Sequence, residues 1–378
     1  MRIGLDGKVL TLRAGGIGRY SINLTRALLA AAAEHRPDLE FVIFTGPRTS
    51  RAVMEELGGA CDECHLGAKS SLLRSVALIP VALRRQRIDL FHGIDHVGIP
   101  LAGKTGKYVV TIHDVIPLIL PQTFTSRHRA VVRLALARVR RQADRIIVPS
   151  HAVKRDVVRH LGLSEDLVTV THHGCEPRFH PAADPASLRA VTARYGLPSR
   201  YVLAVGTLEP RKNLTTLLKA FARLRRAGEV DPALRLVLAG ARGWLDEPIF
   251  RTVRSLGLDV VVHFPGFIDD DDLPDLYRGA ELFVFPSLYE GFGLPPLEAM
   301  ACGVPVVTSN TSSMPEVTGG AAMLVAPLDV DGMAAVIARV LHDDGLRERL
   351  RHAGIARARQ FSWETAARQV LDAYASLV

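Results

Sequence analysis

Residues 287–307 read SLYEGFGLPPLEAMACGVPVV, and this stretch indicates the fold class of the chain. An apolar run, LFVFPS at 282–287, leads into it, and a second run, PVVTS at 305–309, leads out of it. Between the two runs the glycines predict a turn. Pro295 and Pro296 suit the first turn of a helix, because their missing N–H groups would be unpaired there anyway. Strand, turn, helix and strand in this order are typical of a parallel α/β sheet.

Two glutamates, Glu290 and Glu298, lie eight positions apart in this stretch. Such a pair can be a surface accident, a metal site, a glycosidase acid–base pair or a device that grips a sugar. The prolines leave Glu290 in the loop and put Glu298 in the first turn of the helix. We therefore expect the two carboxylates to contact different parts of one extended ligand. Gly291 and Gly293 expose backbone donors near the helix start, where phosphate binds readily.

Similar apolar runs, most of them ending in Gly, Ser, Pro or His, alternate with helical patterns along the whole chain. The predicted strands are RIGLDG, FVIFTG, LFHG, YVVTIHD, RIIVPS and VTVTHHG in the first half, and YVLAVG, RLVLAG, VVHFPG, LFVFPS, PVVTS and AMLVAP in the second. Continuous apolar runs indicate parallel strands that are covered on both faces. We predict two doubly wound, Rossmann-like α/β domains that face each other across a cleft.

The domain boundary is predicted in FHPAADPASLRAV, residues 179–191, which has two prolines and small residues before a helix. The predicted domains are residues 1–183 and 184–360. Residues 361–378 read as a last helix that crosses back to the first domain, with Ser362 as its N-cap and Glu364 in its first turn.

The composition limits the class of protein. A content of 48% hydrophobic and 23% charged residues is typical of a soluble globular protein. No run of 18 apolar residues occurs, and the N-terminus lacks the apolar core of a signal peptide. Four cysteines make no disulfide framework, and Cys61 and Cys64 form a single CxxC that we interpret as two ordinary thiols near a surface loop. These features favour a cytoplasmic location.

The net charge of +8 is carried by the first half of the chain. Residues 1–185 contain 26 Lys and Arg against 17 Asp and Glu, whereas residues 186–378 contain 21 against 22. Excess positive charge attracts nucleic acid, anionic membrane or phosphorylated substrates. Nucleic acid is disfavoured, because aromatic residues make up only 6% of the chain and the charge is spread over several helices.

In open α/β sheets, ligands bind beyond the carboxyl ends of the strands, so residues that follow strands are site candidates. In the first half, Gly15, Gly16 and Gly18 precede an amphipathic helix, and His113 and Asp114 follow the strand YVVT. The glycines fit either an anion site at a helix start or a plain tight turn. His113 fits either a ligand contact or a satisfied polar cap of the strand.

In the second half, Arg211 and Lys212 lie between the strand YVLAVG and a helix. Two cations beside helix-start amides make a strong anion site, although a solvated charge pair is the more common fate of such residues. The acidic run at 269–272 is the nearest candidate for a metal site, and we interpret it as a solvated loop before a helix.

These residues resemble the motifs of the family-4 retaining glycosyltransferases, which have the GT-B architecture. The resemblance covers nearly the whole chain and is greatest to bacterial mannosyltransferases that build O-antigen or other surface polysaccharides. The motifs that carry it are GGIGRY at 15–20, HD at 113–114, PSHAVKRDV at 149–157, GTLEPRKN at 206–213, EGFGLPPLEAMACGVPVV at 290–307 and SSMPEVTG at 312–319.

The resemblance implies a role for each matching residue. Glu290 would hold hydroxyls of the donor sugar, and Glu298 would hold the ribose hydroxyls of the nucleotide. Arg211 and Lys212 would neutralise the diphosphate leaving group, and His113 would assist beside the transferred sugar. The other donor-binding positions would be Gly15, Gly16, Gly291, Phe292, Gly293, Leu294 and Thr207. At Thr207 many members of the family have an arginine, so Arg211 would supply that cation here.

The resemblance also implies the reaction. A hexose, with mannose and GDP-mannose as first expectation, would pass with retention from a nucleoside diphosphate sugar to a lipid-linked or saccharide acceptor, with no cofactor and no obligatory metal. The basic segments VALRRQRIDL and HRAVVRLALARVRRQADR would rest on the inner face of an anionic membrane, or else lie with their arginines in water. A sugar-nucleotide epimerase on a similar fold is the alternative function.

Overall fold

The computed structural model describes the chain except residues 12–14, 69, 71–72, 96–99, 101–102, 183 and 378. The chain divides into two compact units. Unit 1 consists of Met1–Gly174 together with Ser362–Val378, and unit 2 consists of Cys175–Phe361. Among the described residues, the helices are too short or too polar to cross a membrane.

Unit 1 is built on a seven-stranded sheet in which every strand pair is parallel. Its strands are Arg2–Asp6 (β1), Glu40–Thr45 (β2), Asp62–His65 (β3), Leu90–Gly93 (β4), Lys107–Thr111 (β5), Arg145–Val148 (β6) and Val168–Val170 (β7). They are arranged in the order β3-β2-β1-β4-β5-β6-β7. The order in which strands are added to the sheet reverses between β1 and β4, and this is the switch point of a doubly wound sheet.

The helices of unit 1 cover both faces of this sheet. They are Gly15–His35 (α1), Arg51–Glu56 (α2), Ile79–Arg85 (α3), Ile116–Ile119 (α4), Ser126–Gln142 (α5) and His151–Leu161 (α6). Two separate apolar cores result, one that includes Ile3, Leu5, Leu24 and Leu28, and one that includes Phe44, Phe91 and Val110.

Unit 2 is built on a six-stranded, all-parallel sheet in the order β10-β9-β8-β11-β12-β13. Its strands are Tyr201–Val205 (β8), Arg235–Ala239 (β9), Val262–Gly266 (β10), Leu282–Phe285 (β11), Val306–Ser309 (β12) and Met323–Val325 (β13). Its helices are Pro185–Tyr195 (α7), Leu214–Ala227 (α8), Glu247–Ser255 (α9), Leu273–Arg278 (α10), Leu294–Ala301 (α11), Met314–Thr318 (α12), Val330–His342 (α13) and Asp344–Ala358 (α14).

The last helix, Trp363–Ala375 (α15), belongs to unit 1 and packs along α1. Ser362 caps it by accepting a hydrogen bond from the N–H of Thr365 at 3.1 Å, and Glu364 lies in its first turn, which confirms both sequence predictions. The division between the units falls after Gly174, whereas the sequence placed the join at residue 183, which lies outside the described residues. Phe179, inside the predicted linker, is part of the core of unit 2.

All twelve strands predicted from the sequence are present, and β3 is an additional one. This strand contains Cys64, and Cys61 directly precedes it, so the CxxC lies at a sheet edge and not in a surface loop. The strand escaped prediction because its sequence, DECH, is polar and lacks an apolar run. The start of α1 also differs from expectation. Gly15 is its first residue, so Gly16 and Gly18 lie inside the helix that they were expected to precede.

Candidate active site

Glu290 lies in the loop between β11 and α11, as predicted. The helix begins at Leu294, which puts Pro295 and Pro296 in its first turn. Glu298 is the fifth residue of α11 and therefore opens the second turn, not the first turn as predicted. Both carboxylates are buried, with the residues 8% and 3% exposed.

Glu290 bridges the two predicted cations. Its Oε1 lies 2.7 Å from Nζ of Lys212, and its Oε2 lies 2.7 Å from a terminal nitrogen of Arg211. On its other terminal nitrogen Arg211 donates to Oε1 of Glu209 at 2.5 Å. Two acids and two bases thus form one buried network with balanced charge. We call these four residues, Glu209, Arg211, Lys212 and Glu290, the ion cluster.

Electrostatics favour the ionised form of Glu290. Burial opposes ionisation, but Arg211 and Lys212 outweigh it and lower the pKa of Glu290 to about 2. Burial lowers the pKa of Lys212, and Arg211 lowers it further against the attraction of Glu290. The Lys212 ammonium also lies 4.7 Å from the centre of the Phe285 ring, which stabilises a cation.

Three consecutive hydroxyl residues, Thr311, Ser312 and Ser313, hold the backbone of the Glu290 loop, and we call them the hydroxyl clamp. Thr311 donates to the carbonyl of Leu288 at 3.1 Å, and the N–H of Glu290 donates to Oγ of Ser312 at 3.0 Å. Ser313 donates to the carbonyls of Glu290 and Phe292 at 3.0 and 2.8 Å. The clamp contacts alternate residues of the loop and so fixes its path around Glu290.

The turn that carries the cations is fixed in a similar way. Residues Pro210–Lys212 form a 3₁₀ turn, and Asn213 follows with a left-handed backbone, φ 55°. The side-chain amide of Asn213 donates to the carbonyls of Pro286 and Pro327 at 3.0 and 2.6 Å. These bonds tie the cation turn to the ends of β11 and β13, so Lys212 is held against the Glu290 loop.

Glu298 is held by a residue that no sequence motif indicates. The hydroxyl of Tyr277, at the end of α10, donates to Oε2 of Glu298 at 2.9 Å. Tyr277 lies 21 positions earlier and is fully buried, so a local motif could not reveal it. The bond fixes the direction of the Glu298 carboxylate.

The remaining donor-binding candidates of unit 2 divide into backbone and side-chain positions. Phe292 and Leu294 are buried, and the Phe292 ring packs edge-on against Phe361, so only their backbone groups can meet a ligand. Gly293 caps α11 with φ 104°, and a Cβ there would lie 2.3 Å from the terminal methyl of Met314. Gly291 is half-buried, and Thr207 is exposed two positions after the end of β8.

In unit 1, Gly15 and Gly16 are exposed at the start of α1, and a Cβ on either would meet no atom within 4 Å. His113 follows β5 and is buried, and its Nε2 donates to the carbonyl of Ile94 at 3.0 Å. The ring of Tyr20, from α1, stands edge-on to His113 at 4.7 Å. The imidazole is thus held in one orientation by a backbone acceptor and an aromatic neighbour.

A buried hydrogen-bonded chain runs behind His113. It joins Tyr20 to Thr111 at 3.1 Å, Thr111 to Nε2 of His92 at 2.9 Å, and Nδ1 of His92 to the hydroxyl of Tyr374 at 2.6 Å. Burial, and to a smaller degree His113, lowers the pKa of His92 to about 3, so this imidazole is neutral. The chain connects Tyr20, whose ring contacts His113, to the last helix.

The acidic run at 269–272 precedes α10, as predicted. Asp271 is exposed, but Asp272 accepts hydrogen bonds from Arg194 and Tyr195, both at 2.7 Å, so the run is not wholly solvated. Within the described part of the chain, no group of acids, histidines and cysteines close enough to hold a metal includes a residue of this run.

Two family models together match most of the chain. Residues 14–179 match Glycosyltransferase Family 4, and residues 194–357 match Glycosyl transferases group 1. The chain is 34% identical over 373 residues to the O-antigen chain mannosyltransferase B of Escherichia coli, with 95% of each chain covered. It is 33% identical over 287 residues to the serotype-specific mannosyltransferase WbdA of Escherichia coli, spanning 75% of this chain and 35% of that protein.

Solved structures share the fold. Anabaena HepE, solved in complex with UDP and glucose, matches with a TM-score of 0.76 at 21% identity. The match covers 100% of this chain and 99% of the HepE chain. WaaG, a glycosyltransferase involved in lipopolysaccharide biosynthesis, has a TM-score of 0.73 at 17% identity and 99% coverage of each chain. At these identities the likeness establishes the two-domain GT-B fold.

Proposed function

The chain belongs to the family-4, group 1 glycosyltransferases, and we propose that it transfers mannose with retention from a nucleoside diphosphate sugar, GDP-mannose first, to a saccharide acceptor. The observation that carries the choice of sugar is the 34% identity, over 95% of both chains, to an O-antigen chain mannosyltransferase. The product would be a surface polysaccharide or another glycoconjugate.

The two cations of the ion cluster support a diphosphate leaving group. When the glycosidic bond to the diphosphate breaks, negative charge develops on the phosphate oxygen and positive charge on the sugar ring. Arg211 and Lys212 are pre-placed cations of low exposure, where charge stabilisation is worth several kcal/mol. The same role is performed by amide groups at the start of α11, around Phe292, Gly293 and Leu294.

The other residues take the roles implied by the family motifs. Glu290 holds hydroxyls of the donor sugar, and Glu298, directed by Tyr277, holds the ribose. His113 assists with a hydrogen bond beside the transferred sugar, and Gly15 and Gly16 leave room for donor phosphate and acceptor. For retention we favour a same-face substitution in which the departing phosphate helps to deprotonate the acceptor. A double displacement with Glu290 as nucleophile is the alternative route.

A thermal-shift screen against GDP, UDP and ADP sugars tests the donor. A ligand at 100 times its dissociation constant adds about 2.7 kcal/mol of stability, which is a clear shift. We expect GDP-mannose to stabilise the chain and to serve as donor in a transfer assay, with unchanged activity in EDTA because the cations replace a metal. If none of these sugars shifts the protein, the assignment of the donor fails.

Product analysis separates transfer from epimerisation. With donor and no acceptor, an epimerase would release an epimerised nucleotide sugar, whereas a transferase leaves the donor intact apart from slow hydrolysis. The relatives named above are transferases, which favours transfer.

We further propose a lipid-linked acceptor that is met at an anionic membrane surface. The outer side of α5 exposes Val131 and Leu134, 51% and 61% exposed, and the same helix carries the exposed arginines Arg127 and Arg133. Apolar side chains flanked by arginines suit the interface of an anionic leaflet. Co-sedimentation with vesicles that contain phosphatidylglycerol should exceed that with phosphatidylcholine vesicles and should fall when Val131 and Leu134 are both changed to Ser. Equal sedimentation with both vesicle types would contradict the membrane contact.

A further inference from the structure

Arg211 and Lys212 bind the Glu290 carboxylate in the same way in which they would bind a phosphate group. The two oxygens of Glu290 take one nitrogen each, Nζ of Lys212 and a terminal nitrogen of Arg211, both at 2.7 Å. The same Arg211 nitrogen also donates to the carbonyl of Tyr289 at 3.1 Å. Carboxylates and phosphates bind cationic side chains through the same donors, so one anion at this place obstructs another.

The charge of the ion cluster adds to this obstruction. Glu209 and Glu290 balance Arg211 and Lys212, so the cluster as it stands has no excess positive charge for a diphosphate. The side chains of Arg211, Lys212 and Glu290 are only 16%, 12% and 11% exposed, so water screens their interactions weakly. A diphosphate on the cations beside a fixed Glu290 carboxylate would meet strong repulsion.

The hydroxyl clamp determines which part of Glu290 can move. Ser312 and Ser313 fix the N–H and the carbonyl of Glu290, so its backbone stays in place. The side chain can still turn about its own torsions, which move the carboxylate by several ångströms without any change in the loop.

We propose that Glu290 and a diphosphate compete for Arg211 and Lys212, so that diphosphate binding releases the Glu290 carboxylate. The released carboxylate then becomes available to hydroxyls of the donor sugar, which links recognition of the leaving group to recognition of the sugar. This second step rests on the proposed function, whereas the competition itself is a property of the anion site.

Isothermal titration calorimetry with inorganic pyrophosphate, a diphosphate without base or sugar, tests the competition between Glu290 and a diphosphate. Glu290→Gln removes the competing charge, and we expect it to bind pyrophosphate roughly tenfold more tightly than the natural chain, since one strong ion pair no longer has to break. Glu290→Asp keeps the charge but is too short to bridge both cations, and we expect a smaller gain in affinity. Unchanged or weaker binding by both variants would overturn the proposal.

Glu209→Gln is the matched control. It removes the same charge from the same Arg211 and leaves the bridge from Glu290 to Lys212 in place. We expect little gain in pyrophosphate affinity, and a gain equal to that of Glu290→Gln would show that only net charge matters and would refute competition. If the variants behave as expected while no nucleotide sugar binds, the anion site stands and the proposed function falls.

Discussion

Two non-glycine residues beside the ion cluster adopt a left-handed backbone, Asn213 at φ 55° and Ser312 at φ 54°. This conformation costs an ordinary residue of the order of 1 kcal/mol or more, and it persists only where the surroundings impose it. In both cases the side chain forms the bonds that hold a neighbouring segment of the site. The strain is thus used to place the cation turn and the Glu290 loop.

Asn213 lets this use of strain be measured. Asn213→Ala loses the bonds to Pro286 and Pro327 and retains the unfavourable φ, so we expect a loss of about 2–4 kcal/mol in the free energy of unfolding. Asn213→Gly loses the same bonds but adopts positive φ freely, and it should be the more stable of the two. Chemical denaturation of both variants provides the comparison, and an equal or larger loss for Asn213→Gly would contradict a role for backbone strain.

The pKa of Glu290 predicts a dependence of stability on pH. Because its pKa is about 2 in the folded chain and near the ordinary 4.5 in the unfolded chain, ionised Glu290 stabilises the fold above pH 4.5. This contribution, of the order of 3 kcal/mol, is lost as the pH falls from 4.5 towards 2.

The control for this pH effect is Glu290→Gln, which cannot titrate. We expect the free energy of unfolding of the natural chain to fall more steeply between pH 4.5 and 2.5 than that of the variant. Parallel curves from urea denaturation across this range would show that Glu290 does not contribute in this way.

At the scale of elements, the sequence predicted the strands that have continuous apolar runs. Continuous apolar runs identified twelve strands, because a parallel strand covered on both faces must be apolar throughout. Strand β3 was missed because it lies at the sheet edge, where its polar residues meet water. The start of α1 was misjudged because glycine disfavours helix interiors, yet Gly16 and Gly18 are tolerated in a helix that packs along α15.

The hydroxyl clamp provides a prediction about one short helix. Ser313 directly precedes α12, and Ser313→Ala removes two hydrogen bonds from the loop of Glu290. We expect a rise in the KM of the donor and a fall in kcat, because the Glu290 carboxylate loses its fixed position. Steady-state kinetics with varied donor measure both constants.

Thr318→Ala is the matched control for Ser313→Ala. Thr318 is as buried as Ser313, is the last residue of α12, and donates to the carbonyl of Met314 within that helix at 2.8 Å. Thr318→Ala should lower the free energy of unfolding by a similar amount to Ser313→Ala, about 1 kcal/mol, and should leave the KM of the donor unchanged. If both variants raise the donor KM alike, the clamp acts only through the stability of α12.

For the site as a whole, the motifs identified residues that the structure brings together, whereas the roles of these residues towards a donor stay predictions. Lys212 and Glu290 each stood in a motif, and the structure brings them into contact 78 positions apart. The sequence analysis did not predict that Glu290 would form ion pairs with the two cations that were expected to bind a diphosphate. It also did not predict that Tyr277 would donate a hydrogen bond to Glu298. Both depend on distances between distant segments, which no periodicity or motif spacing encodes.

The division of the chain predicts which part of the molecule folds alone. Unit 2 is one continuous segment, whereas the core of unit 1 includes six side chains of α15, namely Trp363, Ala366, Ala367, Val370, Leu371 and Tyr374. We therefore expect a fragment of residues 175–361 to fold and to bind the nucleoside diphosphate that the full chain binds. A fragment of residues 1–174 should remain unfolded, because it lacks α15, which packs along α1 and supplies Tyr374 as the hydrogen-bond partner of His92.

Adding residues 362–378 as a separate peptide tests the cause. Circular dichroism and amide hydrogen exchange should show that the fragment 1–174 gains structure with the peptide. A peptide with Leu371→Asp and Tyr374→Asp should give no gain, since it places charges in the core that α15 completes. Cooperative folding of 1–174 alone would show that unit 1 does not need α15 in order to fold. The hydrogen-bonded chain from Tyr374 to Tyr20 would then not be required for the structure around His113.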